Sequence, residues 1–100
     1  NADAYMLIGD AIAGAAKNCD DGALGQRLAY LRACDYYGSA VNIGDEEVKA
    51  KAQKKLNANA KQFPSVNEIF DVGKNIGDAI TIPTIAGCLC SGESTTLRVR

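Results

Sequence analysis

The chain predicts a mainly α domain: an antiparallel helical hairpin, a capping helix, and a C-terminal β-hairpin. Three observations carry that prediction. Apolar residues recur at helical spacing as far as Phe63, interrupted by two breaks rich in Asn, Asp and Gly. Asp45-Glu46-Glu47 opens one of these stretches with an N-cap and an acidic first turn. Beyond residue 78 the pattern changes to β-branched runs separated by glycines.

The 100 residues make one domain, residues 1–100, large enough for a single modest core. With 47% apolar and 23% charged residues the chain is not of the disordered class. Eleven basic and 12 acidic side chains leave a net charge of −1, so nucleic acid is not an expected partner. The longest apolar run, residues 79–89, is too short to span a bilayer. The absence of histidine removes the commonest general base and the commonest metal ligand together. No enzyme activity, cofactor or metal is therefore expected. The sequence opens Asn-Ala-Asp-Ala-Tyr without an initiator Met, already in helical register, and reads as a processed or excised piece.

The first helix is expected over residues 2–17, with Tyr5, Ile8, Ile12 and Ala16 as its apolar stripe. Gly9 and Gly14 each weaken an isolated helix by roughly 1 kcal/mol, which points to close packing as their reason. The second helix is expected over 23–41, with Leu24, Leu28, Leu31, Cys34, Tyr37 and Val41 on one face and Arg27 and Arg32 on the other. Gly44 ends it. Ala33 and Ala40 are small residues flanking Tyr37, a spacing that lets a ring fill the gap between two close helices.

The third helix is expected over 45–62, with Val48, Ala52, Leu56 and Phe63 as a narrow stripe and a solvated, lysine-rich opposite face. Ser65-Val-Asn-Glu68 is a capping box that opens a short helix over 66–71. A β-hairpin is expected over 79–99, its first strand confined to an edge by Pro83. Arg98 and Arg100 are expected to point outward and protect that edge.

Tyr5, Ile8, Gly9 and Ile12 have the bulky–bulky–Gly–bulky spacing of the first helix of a tetratricopeptide repeat, and Ala33, Tyr37 and Ala40 the Ala–aromatic–Ala spacing of its second. The chain thus resembles that family over its helical part, with Asp45 where the consensus Pro opens the next turn. It departs from the pattern by an insertion covering about residues 17–30. The third helix lacks the family's Gly and aromatic positions and is similar to the solvating helix that closes such arrays. Gln62-Phe63-Pro64-Ser65, Ile69-Phe70, Gly77-Asp78, and Gly87 with Glu93-Ser-Thr-Thr-Leu-Arg98 resemble the C-terminal end of tetratricopeptide proteins exported by Gram-negative bacteria. The resemblance implies a periplasmic or cell-surface scaffold that binds a protein or peptide and has no chemistry of its own. It leaves room for further repeats of the same chain before Asn1.

In that exported context the four thiols Cys19, Cys34, Cys88 and Cys90 are disulfide candidates. Three pairings are open. A Cys88–Cys90 ring would be small and strained, which favours a bond from the hairpin to the helices. Zinc normally draws on ligands paired two to four residues apart, and Cys19 and Cys34 stand alone. Asp20-Asp21-Gly22 lacks the ligand pattern of a calcium loop and reads as a helix-ending turn. Arg27, Arg32 and Asp35, with Tyr36, are the candidate binding residues, able to line a groove that takes a peptide carboxylate; a solvated helix face is the plainer reading. An alternative function is a small disulfide-stabilised inhibitor or immunity-type protein of the periplasm, acting through a loop at 86–93 or 18–24.

Overall fold

The longest helix runs through the middle of the molecule, flanked by the helices before and after it and touched by the last strand. A computed structural model describes residues 1–100. Its elements are α1 (Ala2–Gly14), α2 (Gly25–Ile43), α3 (Glu46–Ala60), α4 (Val66–Asp71), β1 (Ala79–Thr81) and β2 (Ser94–Thr96). The chain is mainly helical with a small antiparallel hairpin, the fold class its sequence predicts.

Local chemistry sets the helix ends. The Asn1 side chain accepts a hydrogen bond from the Ala4 N–H at 2.8 Å and starts α1. This helix stops at Gly14, earlier than residue 17, and the chain tightens into a 3-10 turn over Ala16–Cys19. Nothing lies within 4 Å of a Cβ built on Gly14, so close packing does not account for that glycine. Asp20 accepts from the Gly22 N–H, and Asp21 accepts from both Ala23 and Gly25. The two acids thus form the turn, and Asp21 satisfies the first N–H of α2, that of Gly25. Asp45 caps α3 through the Val48 N–H at 3.0 Å. Gly44 before it is extended, not left-handed; a Cβ there would sit 2.8 Å from the Ala40 carbonyl oxygen, so closeness demands the glycine.

The core forms where α1 and α3 flank α2. Leu28, Leu31, Ala33, Cys34, Tyr37 and Ala40 of α2 are buried. Gly9 of α1 lies against the Tyr37 ring; a Cβ built on it would approach Cε1 to 2.6 Å. Ile12 and Ala16 continue the seam, and Met6 packs with Ala40 and Ala52 at its other end. Tyr5 is half-buried, its ring 6.2 Å from that of Tyr36. Ile8 is not a packing residue: it is 41% exposed, beside Leu7 at 69%. The helix is apolar on two faces, and the one carrying glycine is drawn inward because only it admits the tyrosine ring.

The C-terminal half folds back onto α2. Ser65 and Glu68 complete the capping box of α4 in both directions, and Ile69 is buried beneath it. The strands pair in the register Ala79↔Thr96, Ile80↔Thr95 and Thr81↔Ser94. Pairing continues through Ile82, whose N–H reaches the Glu93 carbonyl at 2.8 Å, and ends at Pro83, which has no N–H to give. The hairpin expected over 79–99 is therefore a short ladder closed by a long loop, with Gly87 and Gly92 supplying the positive φ angles of +85° and +76° at its bends. Ile82 and Leu97 are fully buried.

Cys19 and Cys88 form a disulfide across 69 residues, the hairpin-to-helix bond favoured above. Cys34 and Cys90 are free and buried, so no second bridge exists. The Cys34 thiol faces the backbone of α3, 3.7 Å from the Leu56 carbonyl oxygen. Burial pushes its pKa up to about 11. No helix is long and apolar enough to cross a membrane.

Glu68 links the cap to solution pH. The Ser65 backbone N–H, with lesser help from the Ser65 hydroxyl and Arg27, holds its carboxyl below the usual carboxylate range, against the opposing effect of partial burial. A depressed carboxyl contributes stability above its unfolded pKa of about 4.3, and that contribution disappears as pH falls through the folded value. Glu68→Gln keeps an acceptor in the capping box but cannot titrate. Urea midpoints measured between about pH 5 and about pH 3 should therefore fall less steeply for Glu68→Gln than for the native chain. Equal slopes would remove Glu68 from the acid response.

Candidate functional site

The charged side of α2 does not open onto a groove; it is the clasp that holds the C-terminal segment. Arg32 Nε donates to Glu93 Oε1 at 2.7 Å, and the Tyr36 hydroxyl donates to the same oxygen at 3.0 Å. The Arg32 guanidinium lies 4.6 Å from the Tyr36 ring centroid, adding a cation–π contact. One turn away, Asp35 accepts from Arg98 at 2.7 Å and from the Thr95 hydroxyl at 2.7 Å. Arg27 reaches Glu68 at 3.4 Å and the Gln62 carbonyl at 3.2 Å.

All four candidate binding residues are therefore committed to the chain's own α4 and hairpin. Each is half-buried, with part of its side chain in water and the rest engaged in these intramolecular bonds. Burial, and then the hydrogen bond to Glu93, raise the pKa of the Tyr36 phenol. Arg98 and Arg100 also pair within the chain, Arg98 with Asp35 and over the Phe63 ring, Arg100 toward Glu68 at 3.7 Å, while both keep much of the side chain in water. They follow β2, which ends at Thr96, so they are not strand residues that alternate outward along the hairpin edge.

Two other surfaces are free. The first is the outer face of α1, where Ala4, Leu7, Ile8 and Ala11 are exposed at helical spacing. The same helix buries Met6, Gly9 and Ile12 on its opposite side. Its only charged residues, Asp3 and Asp10, lie along one edge. A helix apolar on both sides is normally covered on both sides.

The second is a groove of about 510 Å³ between α1 and α3, lined by Asp10, Tyr37, Lys51, Lys54, Lys55 and Asn59. Lys55 Nζ bridges it, 3.1 Å and 3.2 Å from the two Asp10 carboxylate oxygens. The Tyr37 hydroxyl donates to Asp10 at 2.7 Å, so the ring that fills the helix seam also orders the groove floor. Burial and this carboxylate raise the Tyr37 phenol well above the usual range.

No known protein family, curated protein or solved structure matches this chain.

A third feature is the loop between Pro83 and Glu93. Cys88 anchors it to Cys19, the Asn18 amide donates to the Gly87 carbonyl at 3.3 Å, and the Ser91 hydroxyl donates to the Cys88 carbonyl at 2.7 Å. At its tip Leu89 is 58% exposed. Cys90 tucks beneath, fully buried, with its sulfur within 4.8 Å of both disulfide sulfurs.

On the sequence alone Ile8 falls on the packing stripe and the outer face of α1 is overlooked, although a signal for it is present. Ala4, Leu7, Ile8 and Ala11 share a helical stripe of their own, a second match to the same period that the first stripe obscures. The α1–α3 groove had no such signal, because Asp10 and Lys55 meet only once the helices are packed.

Proposed function

We propose that this chain is a non-enzymatic helical unit of tetratricopeptide type that holds a protein or peptide partner in the cell envelope. The uncovered apolar face of α1 carries this reading. In stacked helical hairpins each unit buries a face against its neighbour, and a helix apolar on both sides is suited to an inner position of that kind. Ala4 and Ala11 allow close approach of another helix, while Leu7 and Ile8 project to fill its grooves. The groups whose titration is most displaced, Cys34 and Tyr37, are buried side chains in structural contacts, which fits a scaffold. The Cys19–Cys88 bond supports an oxidising compartment, where such bonds persist.

A photo-crosslinking residue at position 7, in the native cellular context, tests this reading. Adducts to an apolar helical segment are expected there, well above those from position 61 on the exposed lysine side. Leu7→Glu should abolish the interaction while changing the stability of the isolated chain by no more than about 0.5 kcal/mol, since the side chain is already in water. Equal yields at positions 7 and 61 would reject the α1 face as a contact surface.

The anchored loop favours a second reading, an inhibitor that presents Leu89 to an enzyme of the same compartment. A tethered loop loses little freedom on binding. Crosslinks from position 89 and none from position 7 would select it.

A further inference from the structure

We propose that Cys19, Cys88 and Cys90 form, once the disulfide is reduced, a three-thiolate site for a single cuprous ion. The three residues come from two separate places in the chain. Cys19 closes the 3-10 turn after α1, while Cys88 and Cys90 lie on the loop that the hairpin folds back over it. Their sulfur atoms lie within 4.8 Å of one another, and all three residues are buried. A metal ion bonded to three sulfurs at roughly 2.3 Å spaces them about 4 Å apart. Cys19 and Cys88 are bonded to each other, so reduction must let their sulfurs part to that spacing, while the loop already holds the Cys90 sulfur within 4.8 Å of both.

The donor set selects the ion. The chain has no histidine to complete it. No carboxylate joins the sulfur cluster. The nearby Glu93 carboxylate is held by Arg32 and Tyr36, and the Ser91 hydroxyl is engaged with the Ile85 and Cys88 backbone. Structural zinc takes four ligands in a tetrahedron, and here only three are offered. Soft thiolates in a dry, three-coordinate pocket suit copper(I).

An oxidising compartment keeps this bond closed, so the site opens only where a dithiol reductant of that compartment reaches it, and with that reductant the chemistry balances. The dithiol breaks the Cys19–Cys88 bond, supplies two electrons and two protons, and leaves as its own cyclic disulfide. Copper(I) then binds three sulfurs, whose protons pass to solvent. Cys34, whose thiol lies against the Leu56 carbonyl, is outside the sulfur cluster and serves as an internal control.

The test is anaerobic titration of the chain, reduced by a phosphine, with copper(I) against a competing chromophoric chelator. One copper is expected per reduced chain, and none at this site in the oxidised chain. Cys90→Ser leaves the native disulfide available, and after reduction it should weaken copper binding about 100-fold or more. Cys34→Ser should bind as the native chain does. X-ray absorption should show a single shell of three sulfurs.

Equal affinity of native and Cys90→Ser chains would overturn the proposal. So would equal losses from Cys34→Ser and Cys90→Ser, the sign of binding by an unfolded chain. Zinc held as tightly as copper would overturn the choice of ion. Circular dichroism of the reduced chain with and without copper guards against loss of fold; a reduced chain that copper does not return to native helicity also counts against the site.

Discussion

Cys19→Ser is expected to lower the stability of the domain by about 4 kcal/mol, the chain-entropy value for a crosslink closing a loop of this length. The bond spans 69 of the chain's residues. For a domain of this size that corresponds to a fall of about 20 °C in the melting midpoint. Cys19 is the correct half to replace. With Cys88 removed instead, Cys90 remains within 4.8 Å of the Cys19 sulfur and offers a substitute partner. Calorimetry of Cys19→Ser, Cys88→Ser and the double variant separates these cases. Cys19→Ser and the double variant should coincide, while Cys88→Ser retains part of the stability if Cys19 pairs with Cys90. A Cys19→Ser midpoint within a few degrees of the native chain would mean that the bridge constrains little.

Gly9→Val is expected to destabilise by about 3 kcal/mol. The built Cβ at this position meets three atoms of the Tyr37 ring, at 2.6, 2.9 and 3.0 Å. That ring cannot step aside, because it is 1% exposed and its hydroxyl is tied to Asp10. Moving α1 outward would open the seam along Ile12 and Ala16 and loosen the Lys55–Asp10 bridge. Gly38→Ala provides the contrast. It lies inside α2 with nothing within 4 Å of its built Cβ, so the gain in helix propensity should stabilise by about 1 kcal/mol. Two glycines in the same helical pair are thus expected to respond with opposite sign. Urea unfolding of the two variants decides it, and a Gly9→Val chain as stable as the native one would refute the close contact.

Residues whose signal is local were readable in the sequence. Asp45 and the Ser65–Glu68 pair announced their helices because a cap is set by side chains three positions from the N–H groups they satisfy. Tyr37 between Ala33 and Ala40 announced a buried ring for a similar reason. The face of α1 was harder, since two apolar stripes compete on one helix and periodicity alone does not rank them. Gly9 ranked them, but only with Tyr37 in place.

The clasp on α2 was not readable at all. Arg32 and Tyr36 meet Glu93, and Asp35 meets Thr95 and Arg98, across about sixty residues of chain. No spacing rule reaches that far, so the ties these charges make within the chain carry no signal in the sequence. The cysteines lie between these extremes. Strain in a Cys88–Cys90 ring pointed to a bond with the helices, but the gathering of three sulfurs depends on where the loop folds.

The long span of the Cys19–Cys88 bridge also has a consequence for biosynthesis. An emerging polypeptide exposes Cys19 69 residues before its native partner. Cys34 arrives first, yet it stays free, its thiol set against the Leu56 carbonyl of α3. Correct oxidation must therefore wait for the loop that carries Cys88 to fold back, so closure of this bond reports that the stretch between the two cysteines has folded.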